Sequence, residues 1–189
     1  MKLVAATVTC TIILAVGTFV SSRAQVMILA QPGVAADGGA LAEELAAYEK
    51  AGEWMRFAKR LEEVIHTRKP RPGGHGFADS VGVRLGGDAW ALNSMAWDVF
   101  WSCNDKEILT KALGWSDLSL RLQPTNHDGE YVQTVDTRAN LLYKLGRVDE
   151  AIAEERRTLE PAFGGNPNDS VQLEIVKKMQ SGVPTWPVK

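Results

Sequence analysis

"DTRANLLYKLGRVDEAIAEERRTLEPAF", Asp136 to Phe163, decides the fold. Small and apolar residues recur at helical spacing up to Leu145 and again from Val148, with Gly146 between the two runs. Ala139 and Ala151 stand twelve apart on either side of that glycine. Two helices that cross closely need a small side chain on each at the contact. A tight reversal between them needs a residue that accepts positive φ, which is the use of glycine after a helix. Lys144 and Arg147 lie where positive charge suits a helix C-terminus. The stretch therefore predicts an antiparallel helix hairpin over about 132–160.

Upstream, Ala91, Leu92, Met95, Ala96, Val99 and Phe100 form one apolar stripe. "SCND" interrupts it, and Lys106 to Leu122 gives a second helix, so a hairpin is predicted over about 89–122. Further back, Leu41 to His66 is helical with Gly52 in the middle; a mid-helix glycine costs about 1 kcal/mol against alanine, which favours two helices over one rod across 41–66. Between these hairpins, 67–87 loses all periodicity and holds Pro70, Pro72 and six glycines. A loop of that length is uncommon inside a domain and is often functional. "VGVRL" (Val81 to Leu85) is the one alternating run, and a single strand has nothing to pair with. Downstream, a short helix is expected at about 170–180, with Asp169 and Gln172 at capping-box spacing and an inner face of Val171, Ile175, Val176 and Met179. Residues 183–189 form a tail whose Trp186 can fold back on that face.

The chain starts with an uncharged apolar run, Leu3 to Val20, after Lys2, followed by Ser22-Arg23-Ala24. This reads as an export signal over 1–24 with a small-x-small cleavage site, so the protein is expected to be periplasmic or secreted. The alternative is an uncleaved membrane anchor through residues 3–20, a length just sufficient to span; with the signal removed no span remains. "QPGVAADGGA" then reads as part of a flexible tether over 25–40. The one cysteine after the signal, Cys103, cannot form an internal disulfide and is expected to be buried as a small apolar residue at a helix end.

Composition is that of a globular protein, 45% hydrophobic and 23% charged. A net charge of −2 with scattered basic residues argues against nucleic acid as a partner, since phosphate neutralisation needs a basic face. His66, His75 and His127 show no metal-ligand spacing, and no metal or cofactor is expected. "GGHG" and "LGGD" lack the Lys-Ser/Thr of a phosphate loop, and no nucleophile elbow surrounds Ser80 or Ser94. Glu43, Glu44, Glu62, Glu63, Glu154 and Glu155 read as solvated faces rather than acid–base pairs.

The Ala139–Gly146–Ala151 pattern resembles the tetratricopeptide repeat, a helix–turn–helix unit of about 34 residues. "ALNSMAW" resembles a first helix of such a unit, with Ala96 as its small contact residue. Ala112, Ser116, Ser119 and Pro124 match the second helix, although Ala96 and Ala112 are sixteen apart rather than twelve and the turn glycine is missing. Leu41 to Ile65 is a degenerate third match, and Glu155 and Thr158 replace the usual aromatic and alanine in the clearest unit. "LNSMAW", "DTRANLLYKLGR" and "DEAIAEE" also resemble helical segments that accompany thioredoxin-like domains in exported bacterial proteins, but the chain has no Cys-x-x-Cys.

The resemblance implies an all-α domain over 41–182: a short right-handed stack of antiparallel hairpins with a C-terminal capping helix, packed through Ala96, Ala112, Ala139, Gly146 and Ala151. It also implies a non-catalytic scaffold that takes a protein or peptide partner on a concave face. That face would carry Asn93, Trp97, Phe100, Trp101, Gln133, Asp136, Asn140, Tyr143 and Lys144. Bland readings stand beside these. Trp90, Trp97 and Trp101 lie on one helix face and favour core packing over a groove stripe. Asn140 and Lys144 could hold a carboxylate or form a solvated polar face, and Asp136 could cap its helix. Two other functions remain open: an enzyme or small-ligand binder with a pocket under the Gly-rich loop (71–88) that gathers His75, Asp79 and Trp97, and a structural subunit of an envelope complex.

Overall fold

The computed structural model describes residues 36–83, 86–123 and 129–188, and the expected signal and most of the tether lie outside them. Eight α-helices occur among these residues: α1 (Ala36–Ala51), α2 (Trp54–Arg68), α3 (Gly76–Ser80), α4 (Asp88–Ser102), α5 (Lys106–Leu122), α6 (Gly129–Lys144), α7 (Val148–Arg157) and α8 (Ser170–Gln180). A single 3-10 turn, Pro161–Phe163, follows α7, and no strand is present among the described residues. The protein is all-α. Helix α1 starts at Ala36, so the end of the expected tether is helical. No helix among the described residues is long and apolar enough to cross a membrane.

The hairpin of the opening stretch forms as its spacing predicts. Gly146 has φ +86°. Its N–H donates to Tyr143 O at 2.9 Å, and Arg147 N–H donates to Leu142 O at 2.9 Å. These two bonds satisfy carbonyls that the end of α6 would otherwise orphan. The same pair recurs between α1 and α2, where Gly52 N–H reaches Glu49 O and Glu53 N–H reaches Tyr48 O. The α4–α5 turn manages without glycine because Cys103 leaves α4 in an extended conformation. Asp105 then caps α5 by accepting from Glu107 N–H at 2.8 Å and Ile108 N–H at 3.2 Å. Cys103 is buried there, and burial pushes its thiol pKa up.

Each long helix from α4 onward packs on the next: α4 on α5, α5 on α6, α6 on α7 and α7 on α8, with α4 also touching α6. Ala96, Ala112, Ala139 and Ala151 are wholly buried at these crossings. Ser116 and Ser119 are buried too; Ser119 Oγ donates to Ala89 O at 2.6 Å, joining α5 to the first turn of α4. The α1–α2 hairpin meets the rest through α3 and α5, with Phe57 edging toward Trp115 at 6.3 Å. Full burial of side chains such as Phe57, Phe100 and Leu142 contributes roughly 1.5–3 kcal/mol each.

Several glutamates that read as solvated serve between helices instead. Glu44 pairs with Arg60 at 2.9 Å (α1–α2), and Glu62 with Lys111 at 2.8 Å (α2–α5). Arg138 joins Asp117 on α5 at 2.7 Å and Glu154 on α7 at 2.9 Å. Such part-exposed pairs contribute about 0–1 kcal/mol each and act more on register than on stability.

The Gly-rich segment is part of the core. Phe77, Ala78, Val81 and Val83 are buried, and α3 forms inside it. Asp88, 2% exposed, holds it down. Its Oδ1 accepts from Phe77 N–H at 2.9 Å and Ala78 N–H at 3.0 Å, and its Oδ2 from Arg71 N–H at 3.0 Å. Gly74 is required by closeness: a Cβ on it would stand 2.6 Å from Asp88 Oδ2. Arg84 and Leu85, the end of the alternating run, lie outside the described residues. Pro124 and His127 do as well.

Candidate partner-binding face

Eight of the nine residues expected on the concave face fall into three groups, and Gln133 stands apart from them. Phe100, Tyr143 and Lys144 come together at the C-terminal ends of α4 and α6, and the tail lands on them. α8 ends at Gln180; Gly182 then takes φ +70°, Val183 N–H donates to Lys178 O at 2.9 Å, and the chain turns back without helix. Tyr143 OH donates to Val183 O at 3.1 Å. The Trp186 ring stands edge-on to Phe100 at 6.2 Å and to Tyr143 at 5.8 Å. Lys144 Nζ lies 5.3 Å from the Phe100 ring centre and 5.2 Å from that of Trp186, and donates to Phe100 O at 2.6 Å. Burial lowers its pKa to about 8. Trp186 does fold back, but onto α4 and α6.

Trp97 and Trp101 form the second group. Their rings stack at 5.7 Å, and Trp97 packs on Phe100 at 5.0 Å. Trp97 and Trp90 are half-buried, while Trp101 is 36% exposed. The stripe is thus neither wholly core nor wholly open: it runs from the core at Phe100 out to solvent at Trp101. Asn93, one turn before Trp97, is buried with its Oδ1 unpaired. Thr185 Oγ, in the tail, is likewise buried without a partner. An unpaired buried polar group costs roughly 1–3 kcal/mol.

Asp136 and Asn140 form the third group and face inward. Asn140 Nδ2 donates to Asp136 O at 2.9 Å and to its Oδ1 at 3.1 Å. Asp136 lies in mid-helix and caps nothing. With Asn140 turned to its own helix and Lys144 to Phe100, the two do not converge on a carboxylate. Behind them sits Glu155, wholly buried rather than solvated, because it lies one turn after Ala151 on the inner face of α7. Gln172, its amide nitrogen turned inward, donates to Glu155 Oε1 at 2.5 Å and to Asp136 Oδ1 at 3.3 Å. The capping box therefore forms only by half: Asp169 accepts from Val171 N–H at 2.9 Å and Gln172 N–H at 3.3 Å, while the Gln172 side chain enters the core. Burial, then the charges of Asp136 and Asp169, hold Glu155 far above the usual carboxylate range. The sequence did carry a sign of this: Glu155 stands four residues after Ala151, on the same face of the helix as that small residue. Gln133 is half-buried, and its backbone carbonyl accepts from Thr137 Oγ1 at 3.0 Å.

Of the residues of the alternative pocket, Trp97 is half-buried on α4. His75 and Asp79 are exposed on α3 and its approach. A cleft of about 510 Å³ opens elsewhere, at the α1–α2 turn, lined by Glu49, Trp54 and Ser102 among others. Asp98, one turn before Ser102, is raised to about 7 by burial and by the charge of Glu49. Among the described residues no three His, Cys, Asp or Glu side chains converge as metal ligands. No protein-family model, no curated protein and no solved structure matches the chain.

Proposed function

We propose that this chain is an exported, non-catalytic helical scaffold that binds an extended segment of another polypeptide on the face shared by α4 and α6. In this reading α4–α5 and α6–α7 are tetratricopeptide-like hairpins in a short right-handed stack, α1–α2 is a degenerate unit at one end, and α8 caps the other. The sequential packing of α4 to α8 and the contact between α4 and α6 support the stack. One observation carries the binding role: a non-helical stretch of polypeptide already lies against this face, with Trp186 on Phe100 and Tyr143 and one backbone carbonyl held by Tyr143 OH. Aromatic anchors with a few polar groups that fix the backbone are the usual means of peptide recognition.

Affinity capture from the exported fraction tests the proposal. Wild-type protein should retain a polypeptide partner that a Trp97→Ala/Trp101→Ala protein loses, with helical circular dichroism unchanged. Equal retention by both proteins would move the binding surface elsewhere.

A further inference from the structure

We infer that Val183–Val188 is a self-ligand: it holds the α4–α6 face against a partner segment that, like itself, presents a tryptophan in an extended, proline-flanked backbone. This rests on the reading of that face as a peptide-binding surface, and it adds the chemistry of the partner and a means of regulation.

The tail has the chemistry of a guest rather than of a structural strap. Pro184 and Pro187 bias Val183 and Trp186, the residues before them, toward extended conformations. Such a backbone cannot fold on itself, and it leaves its carbonyls and its aromatic side chain free for a neighbour. Among the described residues its hold on the α4–α6 face is narrow: one hydrogen bond, from Tyr143 OH to Val183 O, and one ring, Trp186, set among Phe100, Tyr143 and the Lys144 ammonium, while Val183 N–H bonds back to Lys178 O of α8. Val183 and Val188 are exposed at its two ends. The tail also carries a cost of its own, since its Thr185 Oγ is buried and unpaired. A guest without such an unpaired group would be favoured over the tail. Beside the occupied part, Trp101 continues the aromatic surface into solvent, so an incoming segment has a foothold before the tail leaves.

Tethering gives the tail its advantage. A segment joined to the face by a turn of a few residues acts at an effective concentration of the order of millimolar. A free peptide at micromolar concentration then competes poorly with it, and loosening the tail should reveal the peptide's affinity.

The test uses the full chain and a fluorescent peptide with the sequence of residues 182–189, followed by anisotropy. Trp186→Ala should bind the peptide at least about tenfold more tightly than wild type, and a peptide with its tryptophan replaced by alanine should bind neither. Because Trp186→Ala could lose its fold, a Pro184→Gly/Pro187→Gly protein is measured beside it; this leaves every groove side chain in place and should show a smaller gain of the same sign. Equal binding by wild type and both variants, or no binding by any, overturns the inference. Concentration-dependent dimers of wild type without a peptide effect would instead show the tail exchanging between copies, and would also overturn it. If the peptide result is negative while Trp97→Ala/Trp101→Ala still abolishes capture of an exported partner, the self-ligand idea alone fails; if both are negative, the peptide-binding reading fails with it.

Discussion

Lys144 Nζ donates to the carbonyl oxygen of Phe100 at 2.6 Å, so the C-terminal ends of α4 and α6 are closed on one another by a charged group between two aromatic rings. The ammonium answers a carbonyl that the last turn of α4 leaves open. It does so at the expense of hydration, which is why its pKa is lowered to about 8.

The sign of the resulting pH dependence is fixed. A lysine whose folded pKa lies below its unfolded value contributes stability that is complete above the unfolded value and lost as pH falls through the folded one. Relative to Lys144→Met, the wild-type melting temperature should therefore rise between about pH 8 and 10.5. A difference that stays flat across that window would mean the ammonium is not desolvated.

Glu155 should show the opposite dependence. Its raised pKa means that its contribution is complete below the ordinary carboxylate value of 4.5 and is lost as pH rises. Glu155→Gln keeps an acceptor for Gln172 and cannot ionise. It should stabilise the protein by about 1–3 kcal/mol at pH 8 and by much less at pH 4, read from urea denaturation at the two pH values.

Asp88 anchors the Gly-rich segment through three backbone N–H groups. Asp88→Ala leaves all three unpaired in or near the core and should cost about 2–4 kcal/mol, with Asp88→Asn costing about half as much. Gly74→Ala should also destabilise, since its methyl group would press on the Asp88 carboxylate. Hydrogen exchange should show the loss of protection first at Phe77 and Ala78.

The hairpin crossing admits no bulk. Ala151→Leu inserts three heavy atoms at a wholly buried contact and should cost about 1–3 kcal/mol or more. Gly146→Val places a β-branched residue at φ +86° and should cost about 1–2 kcal/mol. Thermal unfolding checks both, and neutral results would contradict the close crossing of α6 and α7.

What was legible in the sequence was whatever local spacing encodes. Ala139, Gly146 and Ala151 specify a crossing and its turn within a few residues of one another, and Asp169 marks the start of α8. The α4–α5 turn was legible in position although it uses an aspartate cap where a glycine was missing. Phe77 and Val81 were not legible as core, because α3 is a single turn held by Asp88, a carboxylate ten and eleven residues from the two N–H groups it binds there. Glu155 was misread because its charge suggests solvent while its register places it inside. The tail's two prolines announced a non-helical segment, but its landing on Phe100 and Tyr143 depends on tertiary packing that no local pattern carries.

A partner polypeptide on the α4–α6 face should be captured by site-specific photo-crosslinking in cells that express the protein. A photo-reactive phenylalanine analogue at Trp101, beside the occupied groove, should form an adduct with another polypeptide. The same analogue at Thr110, exposed on α5, should form none. An adduct at Thr110 and none at Trp101 would contradict the account.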